Sequence, residues 1–583
     1  MSCPFDPASE DVADFIVSYH QLPGRPDPFL PEGCTLRLTP NLSVVYVPLP
    51  EAEPMTVDRH SYNSIPNLYA PLDTSAAEAS GLLSVFHQPA LGNRGEGTMI
   101  GIVDTGIDWA SPLFLNEDGT TRILGLWDQT LPHDGYGDGG SEPVPYYGRR
   151  FTAAEINEAL SLPAPQRVFS VPSLDETGHG TALAAISAGN ETADGSFTGA
   201  APRCRLGIVR LKPAKQYLRD YYGIRADAEA YQENDIMAGI LYLLHLASVH
   251  DLPLTLLIAM GTNLGSHEGT SPLASYLNMI SQTAGIITVT AAGNETGCSH
   301  HYLGVIPESQ SYEDVELKVA PGERGFTLEL WAGQPDLYTV GFISPTGEYA
   351  DRIPYTSRRT NRISFLLEET IINVNYLLAE SGTGSQAIIM RFEAPAEGLW
   401  RIRVFNSFSI RGEYHMWLPV RGFVSDGTIF LRPNPDTTVT EPGNAPLPLT
   451  IAAYNHLNSS IYLHSSRGYT RLNTVKPDLA APGVAVSFPQ EPPDTRITGN
   501  GRSGGRPSSL TGTSAAAAVC AGAAANLLSW AVRDGNQRAM NTSIARAYLI
   551  RGAKRQPLFR YPNREWGYGQ LDLYHSFLNL REQ

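Results

Sequence analysis

The chain has 583 residues, 42% hydrophobic and 17% charged, with 59 acidic side chains against 42 basic ones for a net charge of −17. That apolar share supports a sizeable core and excludes a mostly disordered chain, and so few charges exclude a charge-rich coiled coil. The acidic balance excludes sequence-independent nucleic-acid binding, which needs clustered Lys and Arg, and opposes attachment to anionic membranes.

At ~150 residues per domain the length allows about four units. Residues 1–75 are rich in Pro and hold two strand candidates, ADFIVSYH and LSVVYVPL. The opening MSCPFDPASEDVADF has no basic segment followed by an apolar run. No secretory signal is therefore expected, while a leaderless export route stays open. From Gly97 the texture changes: GTMIGIVDTG, RLGIVRL, LPLTLLIAMG and GIITVTAAGN read as buried strands, and ENDIMAGILYLLHLASVH has helical apolar spacing. Strand, helix, strand in succession predicts βαβ units and a parallel sheet. The most apolar stretch, 236–260, is broken by His245, His250, Asp251 and Pro253, which excludes a membrane span there.

Residues 301–432 change again, to VELKV, FTLELW, YTVGFI, RISFLL, INVNYLL, AIIMRF, WRIRVF and EYHMWL. Such a run of short strands without a helix predicts an inserted two-sheet sandwich or jelly roll. After Pro433 the α/β texture returns with LTIAAYN, a Gly- and Ser-rich loop (499–509) and an Ala-rich helix (514–530). The expected organisation is an N-terminal segment 1–75, an α/β domain built from 76–300 and 433–583, and a β insertion 301–432. Cys3, Cys34, Cys204, Cys298 and Cys520 are odd in number and scattered, which predicts reduced thiols rather than a disulfide framework or a zinc site.

Four polar clusters stand where strands end or helices begin, the places where open α/β sheets build sites. They are Asp104 in IGIVDTG, His179 in DETGHGTALAAISAG, Asn294 in TVTAAGNETG, and Ser514 in LTGTSAAAAVCAGAAANLL. Singly, each has a bland role as turn former, helix cap or core histidine. Together they make a chemical set. Serine needs a base near neutrality, which His179 supplies; a buried carboxylate, Asp104, orients that imidazole and stabilises its cation. The oxyanion needs fixed donors, which the Ser514 N–H at a helix start and the Asn294 amide provide. Gly178, Gly180 and Gly512 allow close backbone approach.

The D-T-G, G-H-G-T, A-A-G-N and G-T-S motifs, in the order Asp, His, Ser, resemble those of the subtilases, the subtilisin-like serine proteases. KPDLAAPG (476–483) is similar to the segment before the nucleophile in that family. TRILGLWDQT, MGTNLGSHEG and YPNREWGYGQLDL resemble the spore-germination, Csp-type subgroup, where a jelly roll is inserted before the nucleophile. The resemblance implies a subtilisin-like parallel sheet with helices on both faces, an inserted jelly roll and a short propeptide-like N-terminal segment. It implies a serine endopeptidase with Asp104, His179 and Ser514 as triad and Asn294 at the oxyanion. Substrate backbone is expected as a strand beside Met260, Gly261 and Thr262, and Ala292 and Gly293 are expected to bind substrate as well.

The expected partners are protein or peptide substrates and the chain's own N-terminal segment as inhibitor, with no nucleic acid, membrane, cofactor or metal. The resemblance implies a cytoplasmic or spore-associated location. Some subgroup members have lost triad residues and act as non-catalytic signalling partners, which is the competing expectation. This chain departs from the usual pattern with Ala259-Met260-Gly261 in place of Ser-Leu-Gly and with AAAAV after the serine. RGEGTMIG misses dinucleotide-binding spacing. Asp134 and Asp138 in HDGYGDGG read as a surface loop rather than a cation site, Cys298 as a thiol near the cleft, and Cys520 as core.

Overall fold

The computed structural model describes residues 5–18, 34–71, 80, 82–86, 93–133, 147–193, 195–355, 360–489 and 508–580. Asp134, Asp138 and nearly all of the Gly- and Ser-rich loop lie outside the described residues. Among those described, nine strands form the central sheet, in the order Ser460–Ile461, Leu449–Asn455, Ile286–Ala291, Leu254–Ile258, Met99–Asp104, Arg205–Arg210, Ile123–Asp128 and Arg149–Thr152, with Leu479–Pro482 also paired to Leu449–Asn455. The inner pairs are parallel, and Ser460–Ile461 and Arg149–Thr152 add antiparallel edges.

Met99–Asp104 and Leu254–Ile258 are buried at every position, as strands covered on both faces must be. Alternation sorts their side chains: Ile100, Ile102 and Leu257 join the core beneath His179–Ala188 and Thr513–Leu528, while Met99, Val103, Leu256 and Ile258 join the one beneath Glu233–Val249 and Pro272–Ile280. The helix from Thr513, with its continuation to Arg533, is long and apolar enough to cross a membrane, yet 89% of its apolar window is buried inside this fold. Its small residues allow that. A Cβ on Gly522 would stand 2.2 Å from the Ala200 Cβ, so helix and loop meet only because the position is glycine.

The strands from His301 to Phe430 form two antiparallel sheets. One contains His301–Val305, Glu413–Trp417, Gly325–Ala332, Gln386–Glu393, Ile371–Leu377 and Asn361–Ser364. The other contains Tyr349–Ala350, Leu337–Ile343, Gly398–Phe408, Tyr312–Val319 and Ile429–Phe430, and a common core including Phe326, Met390, Trp400 and Tyr414 lies between them. Each of the eight segments read from sequence contributes a strand, but RISFLL stops at Ser364 because Leu366 and Leu367 turn outward, 84% and 74% exposed.

The N-terminal segment forms a three-stranded antiparallel sheet from Val12–Ser18, Leu42–Pro48 and Thr35–Thr39. It shares a core with the helix Glu233–Val249 through Val12, Ile16, Leu36 and Val44. A buried ion pair fixes the docking: Lys215 Nζ lies 2.8 Å from Asp14 Oδ2 and donates to the carbonyls of Pro7 and Val12. The expectation of reduced cysteines is corrected here. Cys34 is disulfide-bonded, with its partner outside the described residues, while Cys204, Cys298 and Cys520 are free thiols. Pairing depends on approach in space, which a scattered odd count conceals.

Candidate active site

The strand Met99–Asp104 delivers Asp104 to its carboxyl end, fully buried. Asp104 Oδ1 lies 2.6 Å from His179 Nδ1 and accepts the Thr105 N–H at 2.8 Å. His179 opens the helix His179–Ala188 after Gly178, whose φ of +80° turns the chain into the helix. Asp175 fastens that turn by accepting from the N–H groups of Gly178 and Thr181 and from the Thr105 hydroxyl. Gly180 explains the G-H-G pattern: a Cβ there would lie 2.2 Å from the Gly106 carbonyl, so a side chain would push His179 away from Asp104.

A second cluster forms on the neighbouring strands. Gly293, at φ +102°, follows the strand Ile286–Ala291 and donates its N–H to Thr513 Oγ1 at 3.0 Å, while Thr513 N–H donates to Asn294 Oδ1 at 3.1 Å. With its carbonyl oxygen engaged, Asn294 has its amide nitrogen to offer as a donor. Ser514, the second residue of the helix Thr513–Leu528, is fully buried and donates its hydroxyl to the Ala259 carbonyl at 3.3 Å. Ala259 lies one residue beyond Leu254–Ile258, between the strands that carry Asp104 and Asn294. The four candidates therefore gather at the carboxyl ends of three adjacent strands. Hydrogen bonds between a nucleophile and its base commonly tighten only when substrate is bound.

Met260 and Gly261, expected to line substrate, form a backbone pair with the chain's own Leu68–Pro71: Met260 faces Pro71 and Gly261 faces Ala70. Leu68–Pro71 pairs on its other side with Tyr231–Gln232, again antiparallel. Thr262 bridges to Glu441, and Ala292 accepts the Thr440 N–H. Ala292 and Gly293 stand at the end of the strand Ile286–Ala291, and the strand between Met260–Gly261 and Tyr231–Gln232 is N-terminal chain.

Sequence reasoning missed Tyr69 and what surrounds it. Tyr69 is fully buried, with its hydroxyl 3.4 Å from Glu233 Oε1. Glu233 also accepts the N–H groups of Asn67 and Leu273, and Glu441 accepts from Gly269 N–H and the Ser271 hydroxyl. Burial pushes Glu233 up to about 7 and Glu441 up to about 8, from an ordinary 4.5. Because both hold protons more tightly folded than unfolded, stability is greatest in acid and falls as the pH rises through these values. The melting temperature should fall between about pH 5 and pH 8, and Glu441→Gln should flatten that fall. Equal slopes for the two proteins would sink the assignment. Glu229, half-buried and raised by burial, feels the opposing charge of His179. No sequence signal marked it.

A twisted parallel sheet with helices on both faces, gathering an Asp–His pair, an asparagine and a helix-borne serine at its carboxyl edge, defines the subtilisin-like class of α/β proteins. The chain belongs to the subtilase family, peptidase S8, whose family model matches residues 95–320 and 425–569. It is similar to the CspB protease of Clostridium perfringens, with a TM-score of 0.74 and 26% identity over 86% of this chain and 97% of that one. Fervidolysin from Fervidobacterium pennivorans, a keratinolytic enzyme related to subtilisin, aligns with a TM-score of 0.48 and 13% identity over 97% of this chain and 61% of that one. No curated protein sequence matches the chain.

Proposed function

We propose that the chain is a Csp-type serine endopeptidase whose cleft is filled by its own N-terminal segment. The observation that carries this is the 2.6 Å contact of Asp104 with His179 beside a serine helix latched to Asn294. Ser514 Oγ attacks the scissile carbonyl while His179 takes its proton, then returns it to the leaving amine. Asp104 holds the imidazole with Nδ1 protonated and stabilises the cation. The Asn294 amide and the Ser514 N–H receive the oxyanion; the helix start adds its positive dipole end. A substrate in the register of Leu68–Pro71 would place its next residue opposite Ala259, whose carbonyl accepts the Ser514 hydroxyl.

The competing reading is a protease-like binding protein held shut, and the pairing of Leu68–Pro71 on both sides favours it. Contacts from the β insertion reinforce the hold: Tyr62 donates to Glu329 at 2.8 Å and Asn375 donates to Asp58 at 3.0 Å. The two readings part in one experiment, fluorophosphonate labelling before and after limited proteolysis of the N-terminal segment. An active enzyme gains labelling at Ser514 once the segment is cut. Absence of labelling in both states leaves the binding protein.

A further inference from the structure

Three donor atoms of different chemistry meet on the loop that follows Asn294. Glu295, Cys298 and His300 each offer one ligand atom, and these atoms lie within 4.8 Å of one another. Glu295 and His300 are each 4% exposed, while Cys298 is half-buried and opens the group towards solvent. Gly297 at φ +85° and Ser299 at φ +63° fold the loop so that side chains three and five positions along return to Glu295. Left-handed backbone is uncommon for serine, so this shape is imposed by its surroundings.

The donors are already held. His300 Nδ1 lies 2.7 Å from Glu295 Oε2, which also accepts from Asn263 Nδ2 at 2.9 Å, and the Arg421 N–H donates to Glu295 Oε1 at 3.0 Å. Cys298 Sγ lies 3.5 Å from the Asn294 carbonyl. An aspartate-like pairing of Glu295 with His300 needs no thiol beside it. Burial and the Glu295 charge push that thiol up to about 12. A divalent ion would reverse the balance, because its charge favours both thiolate and carboxylate.

We propose that Glu295, Cys298 and His300 form a Zn²⁺ site, one thiolate, one imidazole and one carboxylate, with a fourth position left to water. This donor set suits zinc, which binds sulfur, nitrogen and oxygen ligands at about 2.0 to 2.3 Å in tetrahedral geometry. Drawing the three atoms onto one ion requires Nδ1 and Oε2, now 2.7 Å apart, to open to roughly 3.3 Å with Sγ at about 3.6 Å from each, the spacings that tetrahedral zinc–ligand distances set. Binding forms one bond from each of Sγ, Nδ1 and Oε2. The Nδ1–H···Oε2 hydrogen bond between His300 and Glu295 is broken, the thiol proton and the Nδ1 proton leave to solvent, and the imidazole binds as the neutral ring with its hydrogen on Nε2. Thiolate and carboxylate together neutralise the two charges of the ion, so no net charge is buried. Because Glu295 adjoins Asn294, an occupied site would hold the segment that bears the oxyanion candidate.

The test titrates the full-length chain with Co²⁺, whose thiolate complexes absorb strongly in the near ultraviolet, and then displaces it with Zn²⁺. One ion per chain with a thiolate band is expected, and Cys298→Ser should abolish the band and weaken Zn²⁺ binding by more than about tenfold, the cost of losing even a partner that only supports a ligand. His300→Ala should change the visible bands that report tetrahedral geometry. Circular dichroism screens this variant for folding; should it fail, Cys298→Ser, conservative and half-exposed, decides alone. Absence of a thiolate band in the wild type, or an unchanged band in Cys298→Ser, overturns the site.

Discussion

Once the N-terminal segment has been cut, a Ser514→Ala chain is expected to cleave peptides about a millionfold more slowly than the equally treated wild type, close to background, while folding unchanged. Ser514 is fully buried within a run of alanines, and its hydroxyl donates a 3.3 Å bond to the Ala259 carbonyl. Removing that bond costs about 1 kcal/mol, too little to unfold the chain. The loss is therefore chemical. It removes the nucleophile but leaves the Asn294 and backbone donors, so any residual rate reports what the oxyanion groups achieve alone. Initial rates on a mixed peptide library measure the first effect. Intact mass of the two purified chains measures the second: a shortened N-terminus in the wild type alone means self-cleavage, and shortening in both means that another protease cuts it. Rates equal in the two chains would dismiss the catalytic role of Ser514.

The scaffold was legible because its strands and helices keep strict periods. Residues 99–103 carry no polar side chain and Leu254–Ile258 is interrupted only by Thr255, and Asp104 stands at the first polar position after the former. His179 and Asn294 were legible for the same reason, with glycines beside them that the backbone requires. Leu68–Pro71 was not. Four residues with proline at one end carry no alternation, and their strand exists only because Met260–Gly261 and Tyr231–Gln232 offer unpaired edges on both sides. Glu233 stands in the first turn of its helix, where an acid is favoured, but its meeting with Tyr69 depends on a distant part of the chain. Glu441 carried no signal at all. The Cys34 disulfide stayed hidden because pairing depends on approach in space, which an odd, scattered count does not show.

Replacing Asp104 by asparagine should lower the cleavage rate by about 10⁴, equivalent to about 5 kcal/mol of transition-state stabilisation. The side chain keeps its shape in a fully buried site, so packing is retained. Its amide carbonyl can still accept from His179 Nδ1 and Thr105 N–H, the two contacts that Asp104 Oδ1 holds at 2.6 and 2.8 Å. The charge is lost, and with it the stabilisation of the imidazolium. Where Oδ2 stood without a hydrogen-bond partner, the variant buries an NH₂ donor instead, which favours rotation of the amide and the wrong imidazole tautomer. Glu229 provides the control, since it is a second carboxylate that senses the charge of His179. It is half-buried and screened, so Glu229→Gln should change the rate less than tenfold. Steady-state rates for both variants, with melting temperatures to confirm folding, separate a carboxylate that touches the imidazole from one that only shares its surroundings. A larger loss in Glu229→Gln than in Asp104→Asn would move the orienting role from Asp104 to Glu229.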